Sequence, residues 1–203
     1  MAENKQPIYM AIFASGAGSN AQKIIDYFRN NDLIKIALIV CTKPGAGVLN
    51  IAEQENISSI LINREKFFNE DAYLDVLKKD KIDFIVLAGF LWKVPSLLLQ
   101  SYPNKIINIH PALLPKHGGK NMYGNHVHEA VIASGSKESG ITIHYVDEHY
   151  DNGDIIFQAK CSVDENETAE TLAQKIHLLE YKHYPVIIEE VISKQFGERK
   201  RLN

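Results

Sequence analysis

Asn108 and His110 stand two residues apart at the end of an apolar run in INIHPALLPKHGG, the stretch from Ile107 to Gly119. Strand residues of one parity project to the same side, so the amide and the imidazole can address one reacting atom. An amide N–H is a donor for a developing oxyanion. An imidazole near neutrality can move a proton or, when charged, help hold that oxyanion. The same pair also suits an ordinary polar strand terminus with satisfied hydrogen bonds. Asp151, in HYDNGDII, would favour catalysis if its loop folds over the same strand ends. A carboxylate beside His110 is expected to raise the imidazole pKa and orient the ring, as the third group of a recurrent catalytic arrangement. Spacing alone does not bring the three together.

A second candidate is ASGAGSNAQKII, where Gly16, Gly18 and Ala21 formally satisfy a G-x-G-x-x-[G/A] dinucleotide pattern. A dinucleotide enzyme that recognises NAD usually carries an acid at the end of the second strand, and here that strand ends IVCTKPG. The physical content survives without the cofactor. Gly18, Ser19 and Asn20 offer backbone N–H groups and small polar side chains at a helix N-terminus, which suits a phosphate, and no residue from Ala14 to Ile25 is a carboxylate. The competing reading is a strand-to-helix turn with Ser19 or Asn20 as an ordinary cap. Among the 8 histidines, His117, His126 and His128 invite a metal hypothesis, but no HExxH or paired-cysteine motif accompanies them. His126 and His128, at a loop-to-helix junction, read better as solvent or substrate contacts.

The elements that must position these residues follow from hydrophobic patterning. Apolar runs rich in branched residues recur at Ile8 to Ala14, Ile34 to Cys41, Ser58 to Ile62, Asp83 to Ala88 and Lys105 to Ile109. Helix-like stretches separate them, near Asn20 to Arg29, Gly47 to Glu55, Phe67 to Lys79 and Pro95 to Ser101. Near-continuous strands alternating with helices predict a doubly wound α/β fold with a mainly parallel sheet covered on both faces. After Gly119 come a helix near Val127 to Ser134 and two strand-like runs, GITIHYVDE and DIIFQAKCSV, whose short connection predicts antiparallel pairing. A helix from about Glu167 toward Val191 follows, with Asp164 as a possible cap and Pro185 expected to kink it or start a new segment. In open α/β sheets ligands bind beyond the carboxyl ends of the strands, where SGAGSN, GFLWKVP and NIHPALLP all fall.

At 203 residues, with 45% hydrophobic and 23% charged, the chain has the composition of one compact domain, read as 1–203 with a phosphate-binding half (about 1–103) and a catalytic half (about 104–203). A net charge of −3 without a long basic block does not suggest nucleic acid as a partner, and GERKR near the C-terminus reads as a solvated end. Cys41 and Cys161 fit a reducing cytosol, and neither a signal peptide nor a membrane span is expected.

The set SGAGSN, LAGF, NIHPALLP, GITIHYV and DNGDII, in that order along nearly the whole chain, resembles the phosphoribosylglycinamide formyltransferase family. The resemblance implies a Rossmann-like formyltransferase fold. It also implies transfer of a formyl group from the co-substrate 10-formyltetrahydrofolate to the glycine amine of glycinamide ribonucleotide in purine synthesis. Asn108, His110 and Asp151 would be catalytic, with no metal. Gly18, Ser19 and Asn20 would hold the phosphate, and Glu180 in HLLEYKHYP the ribose. Leu91, Trp92, Lys93 and Val94 with Val146 and Tyr150 would form the folate pocket, and His144 would lie near the catalytic histidine. The expected assembly is a cytoplasmic monomer or homodimer. Many members read MR where this chain reads LW, so Trp92 stands in an arginine's place, and KHGGKNMYGNHVHEA is longer than usual. Two formyl-folate relatives, methionyl-tRNA formyltransferase and formyltetrahydrofolate deformylase, compete with this reading, as does a non-catalytic nucleotide-binding module.

Overall fold

The computed structural model describes residues 6–69 and 71–197. The first five residues, and GERKR from residue 198 onward, lie outside the described residues. The branched-residue runs form β1 (Ile8–Ala14), β2 (Ile34–Cys41), β3 (Ser58–Leu61), β4 (Phe84–Leu87) and β5 (Ile106–His110), all mutually parallel. β6 (Glu138–Tyr145) pairs antiparallel with β5, and β7 (Ile155–Ser162) antiparallel with β6. The order is β3-β2-β1-β4-β5-β6-β7, one continuous mixed sheet of seven strands.

Strand parity divides the core between the faces. Met10, Ile12, Ile107 and Ile109 join the cluster under α1 (Ser19–Phe28), α2 (Gly47–Gln54), α6 (Asn125–Ala133) and α7 (Ala169–Gly197). Ala11, Phe13, Ile85 and Ile106 join the cluster under α3 (Arg64–Asn69), α4 (Ala72–Lys79) and α5 (Ser96–Ser101). Both faces of β4 are therefore apolar, which is why it lacks the alternation of a half-exposed strand.

Three expectations are corrected. The stretch foreseen as one helix from Phe67 to Lys79 is two, because α3, which opens earlier at Arg64, ends at Asn69 and α4 starts anew at Ala72. The Asn63 side chain accepts from the Lys66 N–H at 3.2 Å to open α3, and the Asp71 carbonyl accepts from Leu74 N–H at 2.8 Å to open α4. Asp164 does not cap α7. It pairs with Lys175 at 2.8 Å, while Thr168 and Thr171 exchange bonds, Thr168 N–H to Thr171 Oγ1 at 3.0 Å and Thr171 N–H to Thr168 Oγ1 at 3.3 Å, as a reciprocal cap. Pro185 starts no new segment: it lies inside α7, which continues past it as one element. Burial of Tyr184, Ile187, Ile188 and Val191 against the sheet offsets the hydrogen bond that proline forfeits.

Candidate active site

The order β3-β2-β1-β4-β5 reverses direction between β1 and β4, so a crevice opens past their carboxyl ends. Ser15 ties its rim. Its N–H donates to the Gly89 carbonyl at 3.0 Å, and its Oγ accepts from Thr42 Oγ1 at 2.7 Å and from Leu91 N–H at 3.4 Å. The ends of β1, β2 and β4 are thus joined. On the far side, Tyr184 Oη donates to the Leu87 carbonyl at 2.8 Å and docks α7 at the end of β4.

Asn108 and His110 share the parity of Ile106 and project to the face covered by α3, α4 and α5. Antiparallel register sets His144 opposite Asn108 and Thr142 opposite His110. The loop between β6 and β7 brings Asp151 over them. Its Oδ2 lies 3.5 Å from His110 Nδ1, and its Oδ1 lies 3.5 Å from Asn108 Nδ2 and 3.6 Å from His144 Nε2. His144 Nδ1 donates to the Tyr145 carbonyl at 2.8 Å, which leaves Nε2 to accept from Asn108 Nδ2 at 3.1 Å. His110 Nε2 donates to the His117 carbonyl at 2.8 Å, which leaves Nδ1 facing the carboxylate. Both rings are fixed in tautomer and orientation by main-chain carbonyls.

The KHGG segment takes part in this arrangement through its backbone, which residue types alone did not reveal. Besides the His117 carbonyl, the Gly119 N–H donates to Asp151 Oδ2 at 2.9 Å. A Cβ on Gly118 would come within 2.4 Å of Leu114 Cδ2 and 3.3 Å of Asp151 Cβ, so glycine lets the loop close on the carboxylate without displacing either neighbour. Beneath it, Thr142 Oγ1 donates to the Ala112 carbonyl at 2.7 Å and accepts from Leu114 N–H at 3.0 Å, clamping the PALLP turn against β6.

The electrostatics differ from the sequence expectation in one respect. Burial pushes the His110 pKa down, and the upward pull of Asp151 and of the His117 carbonyl does not fully restore it. The net direction is below the ordinary histidine value, because the ring is only 3% exposed and the imidazolium loses its water. Burial alone would raise Asp151, yet its contacts with His144, with His110 and with the Gly119 N–H hold it below the usual carboxylate value.

At the other end of the crevice Gly18 is the N-cap of α1, with φ 86°. A Cβ there would meet Val48 Cα at 2.9 Å, so glycine meets two constraints at once. No side chain caps α1, so neither Ser19 nor Asn20 plays the ordinary capping role. The Asn20 Nδ2 instead reaches across to Glu180 Oε2 at 2.9 Å, and His177 Nδ1 meets the same oxygen at 3.0 Å. Glu180 is 5% exposed, and no described residue bonds its Oε1, an atom not sealed from solvent.

The segment after β4 presents Leu91 and Lys93 to solvent, while the Val94 side chain is sunk in the core. Trp92 is half-buried among Phe67, Phe68 and Phe90, with ring centroids 5.8, 6.1 and 6.3 Å away, and the Arg64 guanidinium lies 5.6 Å above its ring. Val146 packs on the same cluster, and Tyr150 beside Asp151 is 43% exposed. His126 and His128 part company. His126 is exposed against Glu129 at 3.3 Å, whereas His128 is 3% exposed with Nδ1 unbonded. Of the two contacts expected for this pair, solvent or substrate, solvent is thus corrected for His128, whose ring is buried on α6.

A doubly wound sheet whose β5 ends in an amide and an imidazole, with the carboxylate of the β6–β7 loop folded over them, has the donors and the proton acceptor that group transfer between two bound substrates needs. The chain belongs to the formyl transferase family, whose sequence pattern matches residues 9–188. It is similar to the phosphoribosylglycinamide formyltransferase of Bacillus subtilis (strain 168), with 40% identity over 187 residues covering 90% of this chain and 93% of that protein. Among solved structures, phosphoribosylglycinamide formyltransferase from Bacillus halodurans has a TM-score of 0.83 at 37% identity, covering 92% of this chain and 96% of the other. Glycinamide ribonucleotide transformylase 1 from Geobacillus kaustophilus has a TM-score of 0.82 at 35% identity, covering 90% and 97%.

Proposed function

We propose that this chain transfers the formyl group of 10-formyltetrahydrofolate to the glycine amine of glycinamide ribonucleotide, a step of de novo purine synthesis, with Asn108, His110 and Asp151 as the catalytic residues. The observation that carries the assignment of roles is the convergence of these three side chains, one atom of Asp151 facing each partner. In this reading the neutral amine attacks the formyl carbon and the carbonyl oxygen gains negative charge. Asn108 meets it with the N–H now directed at Asp151 over 3.5 Å, the weaker of its two contacts, and keeps its bond to His144.

His110 starts neutral near pH 7, because burial holds its pKa down. As the oxyanion grows, the imidazole gains basicity and takes up the proton that the attacking amine releases, with Asp151 placed to balance the charge until that proton passes on. Asp151, kept ionised by its three contacts, orients the ring and accepts from a water that relays the amine's proton toward the departing folate nitrogen.

The folate fits the residues around this centre. Leu91, in the segment after β4, and Tyr150, next to Asp151 in the chain, are large apolar groups 46% and 43% exposed, and they offer flat ring systems a surface they would otherwise find only in a core. Leu91, Trp92, Lys93 and Val94 with Val146 and Tyr150 form the folate side. Gly18, Ser19 and Asn20 hold the phosphate with N–H groups at the start of α1, and Glu180 Oε1 accepts from the ribose. A cytoplasmic monomer or homodimer is part of the same reading. Both cysteines are free thiols, and among the described residues no helix is long and apolar enough to cross a membrane.

The test is a two-substrate assay. Formylated ribonucleotide is expected only when both glycinamide ribonucleotide and 10-formyltetrahydrofolate are present. Protein that binds both and forms no such product overturns the enzyme reading, and folate turnover without the ribonucleotide points instead to a deformylase.

A further inference from the structure

The carboxylate of Glu180 creates a problem at the phosphate end of the crevice. It is 5% exposed and bonded to Asn20, the last residue of the very loop whose N–H groups are to hold a phosphate. A buried negative charge there opposes a phosphate dianion unless something neutralises it. The loop itself brings no cation, since none of Gly16 to Asn20 is basic. Lys23, one turn further along α1, is directed over the Tyr181 ring, 5.8 Å from its centroid.

The group in contact with Glu180 is His177, one turn earlier on α7. Its Nδ1 lies 3.0 Å from the same Oε2 that Asn20 engages, and its ring stacks on Tyr181 with an 8° interplanar angle. The stack and the bond together hold the imidazole in one orientation. We propose that His177 is a positioning residue for the ribonucleotide: as a cation it neutralises and aims the Glu180 carboxylate, which in turn holds Asn20 and leaves Oε1 for the ribose. This rests on the phosphate-loop reading given above.

The groups around His177 agree with a titrating role. Glu180, the largest influence, raises its pKa, and desolvation opposes this only partly because the side chain is 48% exposed. His128 of α6, facing it from the neighbouring helix, has its own pKa pushed down by burial and by His177, so it stays neutral and adds no competing charge. From α1 come Asn20, which is uncharged, and Lys23, which is occupied with Tyr181. His177 is therefore the cation that comes and goes with pH at this end of the site. Ribonucleotide affinity should weaken as pH rises through its titration.

The measurement is the Kd of glycinamide ribonucleotide, without folate, by calorimetry on the full-length protein at several pH values from 6 to 8.5. Ligand titration is common to every variant, so the ratio of Kd values isolates the protein. His177→Gln is expected to weaken binding about 5-fold to 10-fold at pH 6, the loss of one charge-assisted bond, and to match the wild type at pH 8.5. His177→Lys, charged throughout, is expected to restore tight binding and keep it at pH 8.5. By NMR the His177 ring should titrate at a lower pH in Glu180→Gln. A His177→Gln to wild-type ratio that does not change with pH, or His177→Lys binding no better than His177→Gln, overturns the proposal while leaving the phosphate loop intact. Ribonucleotide affinity that survives Ser19→Asp overturns the loop reading and this inference with it.

Discussion

His110 and His177 each lie beside a carboxylate, at 3.5 and 3.0 Å, and their pKa values move in opposite directions. The carboxylate pulls upward in both cases. What differs is water: His110 is 3% exposed and His177 has a side chain 48% exposed. The penalty for burying an imidazolium outweighs one carboxylate at the end of β5 and fails to outweigh it on α7. The contrast extends to the surroundings. At the chemical end, Asn108, His110, His144 and Asp151 spend their hydrogen bonds on each other and on the backbone of Tyr145, His117 and Gly119. At the phosphate end, α1 has no side-chain cap and one oxygen of Glu180 has no partner among the described residues. A preorganised network suits a step in which charge shifts between atoms, and unsatisfied donors suit a ligand that arrives already charged.

Breaking the chemical end should therefore cost turnover, and breaking the phosphate end should cost binding. Asp151→Asn removes the charge that balances His110 and the acceptor for the relay. A fall in kcat of roughly 10²-fold to 10⁴-fold is expected, with the circular dichroism spectrum unchanged because Asp151 is a loop residue rather than core. Wild-type kcat in a folded Asp151→Asn protein would remove it from the mechanism. Asn108→Ala follows, with an expected loss of about 10²-fold to 10³-fold in kcat and little change in either KM, since its N–H is needed only when the oxyanion forms. A KM effect with kcat intact would make Asn108 a binding residue instead. Glu180→Gln should raise the KM for the ribonucleotide about tenfold while kcat falls far less, the worth of one charge-assisted hydrogen bond. The reverse split would erase the distinction between the two ends.

Much of this arrangement is legible in the sequence, for reasons that also mark the limit. Parallel strands covered on both faces must be apolar almost throughout, so β1, β2 and β4 announce themselves. The period of two on a strand already puts Asn108 and His110 on one side. The parts that stayed hidden are those carried by backbone or by burial. The His117 carbonyl and the Gly119 N–H have no residue-type signature. The boundary between α3 and α4 turns on the Asp71 carbonyl, and the run through Pro185 on packing from the sheet, neither of which local propensity contains. The direction of the His110 shift fails for the same reason: a nearby aspartate can be guessed from spacing, but the depth of the pocket cannot.

The smallest effects lie in proton uptake, and they test the contrast most directly. His110 and His128 are both held below the ordinary histidine value by burial, so the unfolded chain binds protons near pH 6.5 that the folded protein refuses. Each group then makes stability fall as pH drops below about 6.5, by at most about 1.4 kcal/mol per pH unit. His177 works the other way. Its contribution is fully present below the unfolded value and is lost as pH rises through its folded one. Urea midpoints at pH 7.5 and 5.5 should show a net loss at the lower pH, reduced in His128→Asn and enlarged in His177→Gln. NMR titration should find His110 below 6.5, and lower still in Asp151→Asn, with His177 above 6.5. His110 titrating above His177 in the free enzyme would mean that Asp151 outweighs burial, and the explanation of their opposite shifts would fail.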